Sequence, residues 1–341
     1  MADLINPQVL FKLIEIAVIL ALLIPIAAML VWVERRMIGI WQDRHGPNRV
    51  GPGGVLQSLA DLLKILGKDE FIPQFADKFI FIAAPIIAAV TVLMSFVVIP
   101  FSDTIGVSNL NIGLLFFLAM TSLAVYGVVL AGWASKNKYA LLGSMRAAAQ
   151  TISYEVFMGL SLMGVVLLTG SFNLRDIVLA QQEHWFITSQ ILGFVVFLIA
   201  GIAESHRLPF DLPEAETELT AGFHTEYSGL KFALFFLGEY LGVTLISAMA
   251  VTLFFGGYLA PSFLPEAVGA MIPGLVWFTG KVLLLILFFI LLRTSLPRAR
   301  FDQLLAFGWK VMLPLALFNL LLTAILRLTG VISGAGDISY G

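Results

Sequence analysis

Cysteine is absent from the 341-residue chain, and only four histidines are present. Without a thiol the chain can form no disulfide, no thiolate-held iron–sulfur cluster and no CxxC redox or zinc site. The histidines all fall in or beside polar connecting segments, so no pair stands on facing apolar helices as a bis-histidine haem requires. These absences argue against a protein that carries electrons by itself.

Charged residues are also scarce. They make up 12% of the chain, against about 25% in soluble domains, while apolar and aromatic residues reach 59%. Several long runs carry no charge, and roughly 20 apolar residues make one helical membrane span. Because the runs are continuous rather than alternating, they favour helices over the strands of a barrel. The sequence therefore predicts an all-α, polytopic integral membrane protein.

Eight apolar runs are predicted to cross the membrane as helices. They cover residues 9–33, 79–101, 112–134, 147–170, 185–203, 232–256, 272–292 and 309–326. An even number of crossings places both termini on the same side of the bilayer. No linker or composition shift divides the chain, so residues 1–341 are predicted to form a single integral membrane domain.

The basic residues indicate which side is the cytoplasm. Of the 20 lysines and arginines, all except Lys12, Arg175, Lys281 and Arg327 fall in or beside the segments that follow spans one, three, five and seven. Positively charged connections remain in the cytoplasm. These segments are therefore predicted to be cytoplasmic, and both termini to lie outside, on the periplasmic side.

The first cytoplasmic loop, residues 34–78, is too long for a plain connection. Between residues 56 and 68 its leucines recur at helical spacing, opposite a stripe of polar side chains. This pattern predicts an amphipathic helix at the membrane surface. The glycine- and proline-rich stretch 46–54 favours an irregular backbone, and it does not follow a strand as a phosphate-binding loop would.

Charged residues also stand deep inside three of the predicted spans. Glu155 and Glu239 each lie roughly 12 Å from the cytoplasmic end of a helix, and Lys281 lies near the middle of the seventh span. A charge at such depth costs about 2.5–3.5 kcal/mol and typically faces a polar cavity or a proton route. A neutral, hydrogen-bonded acid that fixes helix packing, or a Lys–Glu pair, would explain the same residues.

The third cytoplasmic loop, residues 204–227, is rich in acids. Its carboxylates belong to Glu204, Asp211, Glu214, Glu216, Glu218 and Glu226. Such a run is often a solvated loop. Together with the acids inside the spans, it also fits a series of groups that leads from the cytoplasm toward the bilayer centre, where desolvated carboxyls exchange protons near neutral pH.

Three loop motifs are long enough to indicate a family. They read Glu34-Arg35-Arg36 with Gln42-x-Arg44-x-Gly46-Pro47-Asn48, then Glu204-Ser205-His206-Arg207-Leu208-Pro209-Phe210-Asp211-Leu212-Pro213-Glu214, and Arg293-Thr294-x-x-Pro297-Arg298-x-Arg300. Over nearly its whole length the chain resembles the family of the H subunit of bacterial NADH:quinone oxidoreductase, respiratory complex I, the counterpart of mitochondrial NADH dehydrogenase subunit 1.

That resemblance implies a membrane subunit that joins the membrane arm to the peripheral arm, forms the quinone-access chamber and contributes acids to a proton route. It implies that NADH, FMN and the iron–sulfur clusters belong to partner subunits, with no catalytic residue and no metal in this chain. Its candidates for the quinone chamber or interface are Glu34, Arg35, Arg44, Asp61, Arg207, Arg293 and Arg298. Its candidates for the proton path are Glu155, Glu204, Glu214, Glu226 and Glu239.

The resemblance also implies a setting. It implies a quinone, ubiquinone rather than menaquinone, and a multi-pass location in the bacterial inner membrane. The expected partners are the other membrane-arm and peripheral-arm subunits and the lipid bilayer, with no nucleic acid. Two other functions remain open, the membrane subunit of an energy-converting hydrogenase and a self-contained cation/proton secondary transporter, for which buried acids and Lys281 would be natural.

Overall fold

In the computed structural model, the described part of the chain comprises residues 7–261, 269 and 271–330, and its regular structure is helical throughout. The α-helices are α1 (Pro7–Trp41), α2 (Gln57–Leu66), α3 (Lys78–Ser95), α4 (Gly113–Ala134), α5 (Lys138–Thr169), α6 (Leu174–Leu179), α7 (Phe186–Ser189), α8 (Ile191–Glu204), α9 (Glu216–Leu219), α10 (Gly229–Phe254), α11 (Gly274–Ser295), α12 (Phe301–Phe307) and α13 (Leu313–Leu328). A π-helical turn, Gly308–Met312, joins α12 to α13.

Seven helical segments in the described residues are long and apolar enough to cross a membrane. They are Ile14–Trp41, Lys78–Val98, Gly113–Ala134, Lys138–Thr169, Gly229–Phe254, Gly274–Ser295 and Phe301–Leu328. The prediction of an all-helical chain with many apolar spans is thereby confirmed. The run 185–203 instead forms the one-turn α7 and the 14-residue apolar α8, so the eighth crossing stays a prediction.

Helix α5 begins earlier than predicted, at Lys138 rather than at residue 147. The reason is local: the Asn137 side chain accepts a hydrogen bond from the Tyr139 N–H at 2.9 Å and caps the first turn. The helix ends at Gly170, whose φ of 71° lies in the left-handed region. Glu155 consequently stands near the middle of a 32-residue helix, farther from the first residue of that helix than the roughly 12 Å expected from the sequence.

Small residues and buried amides hold the helices together. A Cβ atom on Gly127 of α4 would lie 2.8 Å from the Ala88 nitrogen and 3.0 Å from the Ala84 oxygen, so the backbones of α3 and α4 touch there. Elsewhere the Asn319 side chain of α13 donates to Gln190 Oε1 at 3.0 Å. Gln190 in turn donates to Thr323 Oγ1 at 2.7 Å, which ties α13 to the start of α8.

The glycine-rich stretch 46–54 packs tightly against the end of α1. A Cβ on Gly46 would lie 2.9 Å from the Arg35 oxygen, and one on Gly54 would lie 2.1 Å from the Pro47 oxygen. The Arg36 side chain donates to the Gly53 oxygen at 3.0 Å. The stretch is therefore a compact extension of α1 rather than a loose loop. Helix α2 follows it and leaves its leucines exposed.

Lys281 of α11 is satisfied by backbone carbonyls rather than by a carboxylate. Its Nζ donates to the oxygens of Phe255 at 2.7 Å, Gly257 at 3.0 Å and Leu259 at 2.7 Å, and lies 4.4 Å from the centroid of the Trp185 ring. All three ammonium protons therefore have acceptors. The lysine fixes α11 to the segment that follows the end of α10, and no carboxylate within residues 7–261, 269 and 271–330 pairs with it.

We expect Gly127→Ala to destabilise the protein by about 1–3 kcal/mol, because the new methyl group would meet backbone atoms of α3 that cannot turn away. Thermal unfolding of the protein in detergent micelles would measure the loss. The matched control is Gly280→Ala on α11, where nothing lies within 4 Å of the added Cβ. An equal loss in both variants would contradict the close contact between α3 and α4.

Candidate functional site

Glu34, near the C-terminal end of α1, lies between two arginines. Its side chain is only 7% exposed. Oε1 accepts a hydrogen bond from Arg293 of α11, and Oε2 lies 3.5 Å from Nη1 of Arg207, in the segment after α8. Residues from three distant parts of the chain thus meet in one ion cluster. A buried carboxylate needs such partners, because its desolvation costs several kcal/mol.

Arg207 continues the cluster toward α10. Its Nη2 lies 3.6 Å from Oε2 of Glu239, and its Cζ lies 4.1 Å from the centroid of the Tyr240 ring. The guanidinium therefore touches a carboxylate on each side and the face of an aromatic ring. Glu34, Arg207 and Glu239, all predicted from the sequence, are brought into one row.

A small apolar cavity opens beside this row, between α1, α10 and α11. Its volume is about 20 Å³, enough for about one water molecule, since a single water requires roughly 10–15 Å³. The lining combines Glu34, Arg207, Tyr240 and Arg293 with Leu30, Val243, Ile286, Phe289 and Ile290. The guanidinium groups of Arg207 and Arg293 thus face a cavity whose other walls are largely apolar.

The acidic loop adds further carboxyls on the other side of Arg207. Burial raises the pKa of Glu214 well above its usual range, and the neighbouring charge of Glu239 raises it further. Burial also raises the pKa of Asp211 to about 6, although Arg298, at 3.1 Å from Oδ2, opposes the shift. His224 Nδ1 lies 3.7 Å from Glu214 Oε1. Both acids therefore keep their protons to a higher pH than an exposed carboxyl does.

A second, larger cavity starts at Glu239 and runs between α3, α4, α5, α8 and α10. Its volume is about 90 Å³, which is room for several water molecules. Its polar lining comes from Thr121, Thr151, Glu204, Ser205, His206 and Glu239. Glu204 presents a buried Oε2 to which no described residue gives a hydrogen bond. Glu204 and Glu239, both predicted, therefore share one cavity.

Glu155 stands at the far end of this series. Its Oε1 accepts hydrogen bonds from the hydroxyls of Ser122 and of Thr121, the latter at 3.4 Å and itself part of the cavity wall. Glu155 also lies near enough to Glu204 for its charge to act on that group. Four of the five predicted proton-path acids, Glu155, Glu204, Glu214 and Glu239, thus form a series around Arg207 and the larger cavity.

The remaining predicted residues lie outside this series. Arg35 of α1 pairs with Asp61 of α2 at 2.7 Å, on the exposed side of the first loop. Arg44 is exposed and donates to Gln42 Oε1 at 2.8 Å. Glu226 accepts from Asn137 Nδ2 at 2.6 Å and does not line the larger cavity. Arg298 joins the site through Asp211, at 3.1 Å from Oδ2.

The model of the family described as NADH dehydrogenase matches residues 14–324 of the chain. The chain belongs to the NADH dehydrogenase family. A curated relative from Methylococcus capsulatus, the H subunit of its NADH-quinone oxidoreductase, is 62% identical over 304 residues, which cover 89% of this chain and 94% of the relative. The resemblance drawn from the loop motifs is confirmed, and membership of this family of oxidoreductase subunits favours the quinone enzyme over the hydrogenase and transporter alternatives.

Three residues of this family member were given no role by the sequence. His206 and His224 stand in the acidic loop, and Tyr240 follows Glu239. His224 and Tyr240 contact charged groups of the site, and His206 lines the larger cavity. The only general signal for Tyr240 was that arginine side chains are attracted to the faces of aromatic rings. Nothing in the spacing showed that His206 would turn into a cavity.

We expect Glu34→Gln to destabilise the protein by about 3–5 kcal/mol, because Arg207 and Arg293 would lose the carboxylate that neutralises them. Heating of detergent-solubilised membranes, followed by the amount of folded chain, would measure this loss. The control is Asp103→Asn, which breaks the pair with Arg175 but removes a carboxylate that is 68% exposed. The prediction fails if both variants are equally stable.

Arg298→Gln should raise the pKa of Asp211 above 6, because the Arg298 guanidinium makes the largest contribution that lowers this pKa against the effect of burial. A raised pKa means that the folded state binds the proton more tightly, so stability falls as the pH rises from 3.8 to 6 and then becomes constant. Without Arg298 the decline should continue to higher pH. Thermal unfolding over roughly pH 5 to 8, with exposed Arg49→Gln as control, would test this.

Proposed function

We propose that the chain is the membrane subunit of a proton-pumping NADH:quinone oxidoreductase, where it forms the quinone-access chamber at the junction with the peripheral arm. In this proposal, buried carboxylates couple quinone reduction to proton translocation. The observation that carries it is Arg207, which contacts Glu34 beside one cavity and Glu239 beside the other. One guanidinium thus joins a site for a polar substrate group to a row of acids.

The chamber is assigned to the smaller cavity. A quinone is a long apolar molecule with a polar headgroup that gains negative charge on reduction, and apolar side chains with Arg207 and Arg293 beside them suit both features. At about 20 Å³ the cavity holds a water-sized group only. We therefore assign this chain the entrance, with a peripheral-arm subunit completing the headgroup site.

The exposed candidates are assigned to the junction with the peripheral arm. Arg35 and Asp61 tie α2 to the end of α1, and Arg44 stands free on the first loop apart from its bond to Gln42. Arg298 anchors the acidic loop through Asp211. Rigid, charged loops of this kind are suited to docking another subunit, since electrostatic complementarity selects partners.

The proton path is assigned to the series Glu214, Glu239, Glu204 and Glu155, with Glu226 at the loop end. Glu214 lies next to Glu239, the larger cavity separates Glu239 from Glu204, and Glu155 lies beyond. Carboxyls inside a membrane protein commonly mark proton routes, because each can hold a proton in a site where a free ion is costly. The cavity has room for waters that extend the row.

Coupling follows from the position of Arg207. While the guanidinium neutralises both Glu34 and Glu239, each carboxylate remains charged. Negative charge that develops in the chamber attracts the guanidinium and weakens its hold on Glu239, which then takes up a proton from Glu214 or from water. Two charges this close and largely shielded from water interact by several kcal/mol. A small movement of Arg207 is therefore enough to change the protonation of Glu239.

The remaining predictions fit the same proposal. We infer eight spans, with apolar α8 as the additional crossing, both termini outside, α2 at the membrane surface and residues 1–341 as one membrane domain. The exposed leucines of α2 support its place at the surface. The protein would lie in the bacterial inner membrane, use ubiquinone, and depend on partner subunits for FMN and the iron–sulfur clusters.

We expect Glu239→Gln and Glu155→Gln to lower quinone reduction and proton pumping together by about 10²-fold, because an amide cannot carry the proton. The measurement uses membrane vesicles and compares NADH-driven quinone reduction, pumping and NADH oxidation by an artificial acceptor. The last activity should persist, since it reports assembly of the partner subunits. The control is exposed Glu183→Gln. Unchanged pumping in both variants would refute the assigned path.

A further inference from the structure

We propose that the His206 imidazole carries the proton between Glu239 and Glu204 across the larger cavity. This inference rests on the proposed proton path and adds to it a carrier that is not a carboxyl. All three residues line the same cavity. The sequence alone gave His206 no role, and the assignment depends entirely on where the chain places its ring.

The backbone after α8 directs His206 into the cavity. The helix ends at Glu204, and His206 adopts a φ of 50°, a left-handed conformation that is uncommon for a residue with a side chain. Arg207 follows at once and is held by Glu34 and Glu239. The turn therefore points His206 and Arg207 to two different cavities, and the ion pairs of Arg207 hold the turn in this strained form.

One ring nitrogen of His206 is bound and the other remains available. Nε2 lies 3.1 Å from the hydroxyl of Thr151 on α5, which fixes the ring. Among the described residues, no side chain or backbone group bonds to Nδ1. An imidazole that is held at one nitrogen and open at the other can accept a proton without losing its position.

Few groups in the rest of the cavity wall can exchange a proton. Apart from its acids, His206 and the hydroxyl groups, the wall is formed by apolar side chains, among them Val125, Val128, Phe235, Leu245 and Ile246. These groups cannot pass a proton. The unpartnered Oε2 of Glu204 is buried at the far side and is the acceptor to which a proton would be delivered.

The charges around His206 suit a carrier that is neutral at rest. Burial lowers the pKa of His206, and the carboxylate of Glu239 opposes that shift. Thr151 of α5 faces the ring without charge, and the other charged groups near it are Glu204 of α8 and the adjacent Arg207. The imidazole is therefore neutral at rest, and it holds an added proton only weakly and passes it on.

The transfer consists of two balanced steps. The Glu239 carboxyl gives its proton to an imidazole nitrogen of His206, directly or through one water, which leaves a carboxylate and an imidazolium. The imidazolium then gives a proton to the carboxylate of Glu204, which leaves a neutral imidazole and a neutral carboxyl. One proton has moved, no bond between heavy atoms has changed, and His206 has returned to its resting form.

The test compares His206→Gln with Thr151→Val in the assembled complex. Glutamine keeps a polar group that can reach Thr151 but cannot carry a proton, and His206→Asn serves as a second variant if the first does not assemble. We expect proton pumping and quinone reduction to fall about 10²-fold, while artificial-acceptor activity persists. Thr151→Val, which keeps the imidazole, should cost only a few-fold. The control is His184→Gln, an exposed histidine outside the acidic loop.

Two results would overturn the proposal. One is a His206→Gln variant whose pumping rate and solvent deuterium isotope effect both equal those of the unsubstituted protein. The other is an equal loss in Thr151→Val and His206→Gln, because the hydrogen bond rather than the imidazole would then matter. Glu239→Gln, measured in parallel, distinguishes failure of the His206 carrier from failure of the proton path. If Glu239→Gln abolishes pumping while His206→Gln does not, the proton path stands without this carrier. If neither variant changes pumping, the proton path itself is wrong.

Discussion

The buried guanidinium of Arg207 is the group on which the arrangement of the site depends. It touches Glu34, Glu239 and the ring of Tyr240, so it draws α1 and α10 to the segment that follows α8. Arg293 neutralises the second oxygen of Glu34. The two cations and two carboxylates balance, and that balance makes a cluster of buried charge tolerable in an apolar chain. Removing any member would leave a charge without a partner.

The same guanidinium separates two cavities of different character. On one side a narrow apolar space faces two arginines, and on the other a wider space is lined by acids and hydroxyl groups. Because Arg207 contacts a carboxylate in each wall, the two spaces cannot change charge independently. A change of charge in one space therefore alters the electrostatic energy of the carboxylate in the wall of the other.

Composition was enough to predict the helical membrane fold, because hydropathy reports directly which segments avoid water. Helix ends were harder: Asn137 extends α5 well before its apolar run, and α8 is shorter than its run. Acids in apolar runs could be recognised as candidates from the sequence, because a charge in the membrane interior costs free energy that a functional role would explain. The contact between Glu34 and Arg293 could not be predicted, because the two residues lie 259 positions apart and no spacing rule joins them.

The packing of stretch 46–54 has a mechanical consequence. Since Gly46 and Gly54 allow backbone-to-backbone contact and Arg36 is bonded to Gly53, the stretch cannot be displaced without turning the end of α1. Glu34 stands on that same end. Any displacement of this stretch therefore also turns the part of α1 that carries Glu34, the carboxylate between the two arginines.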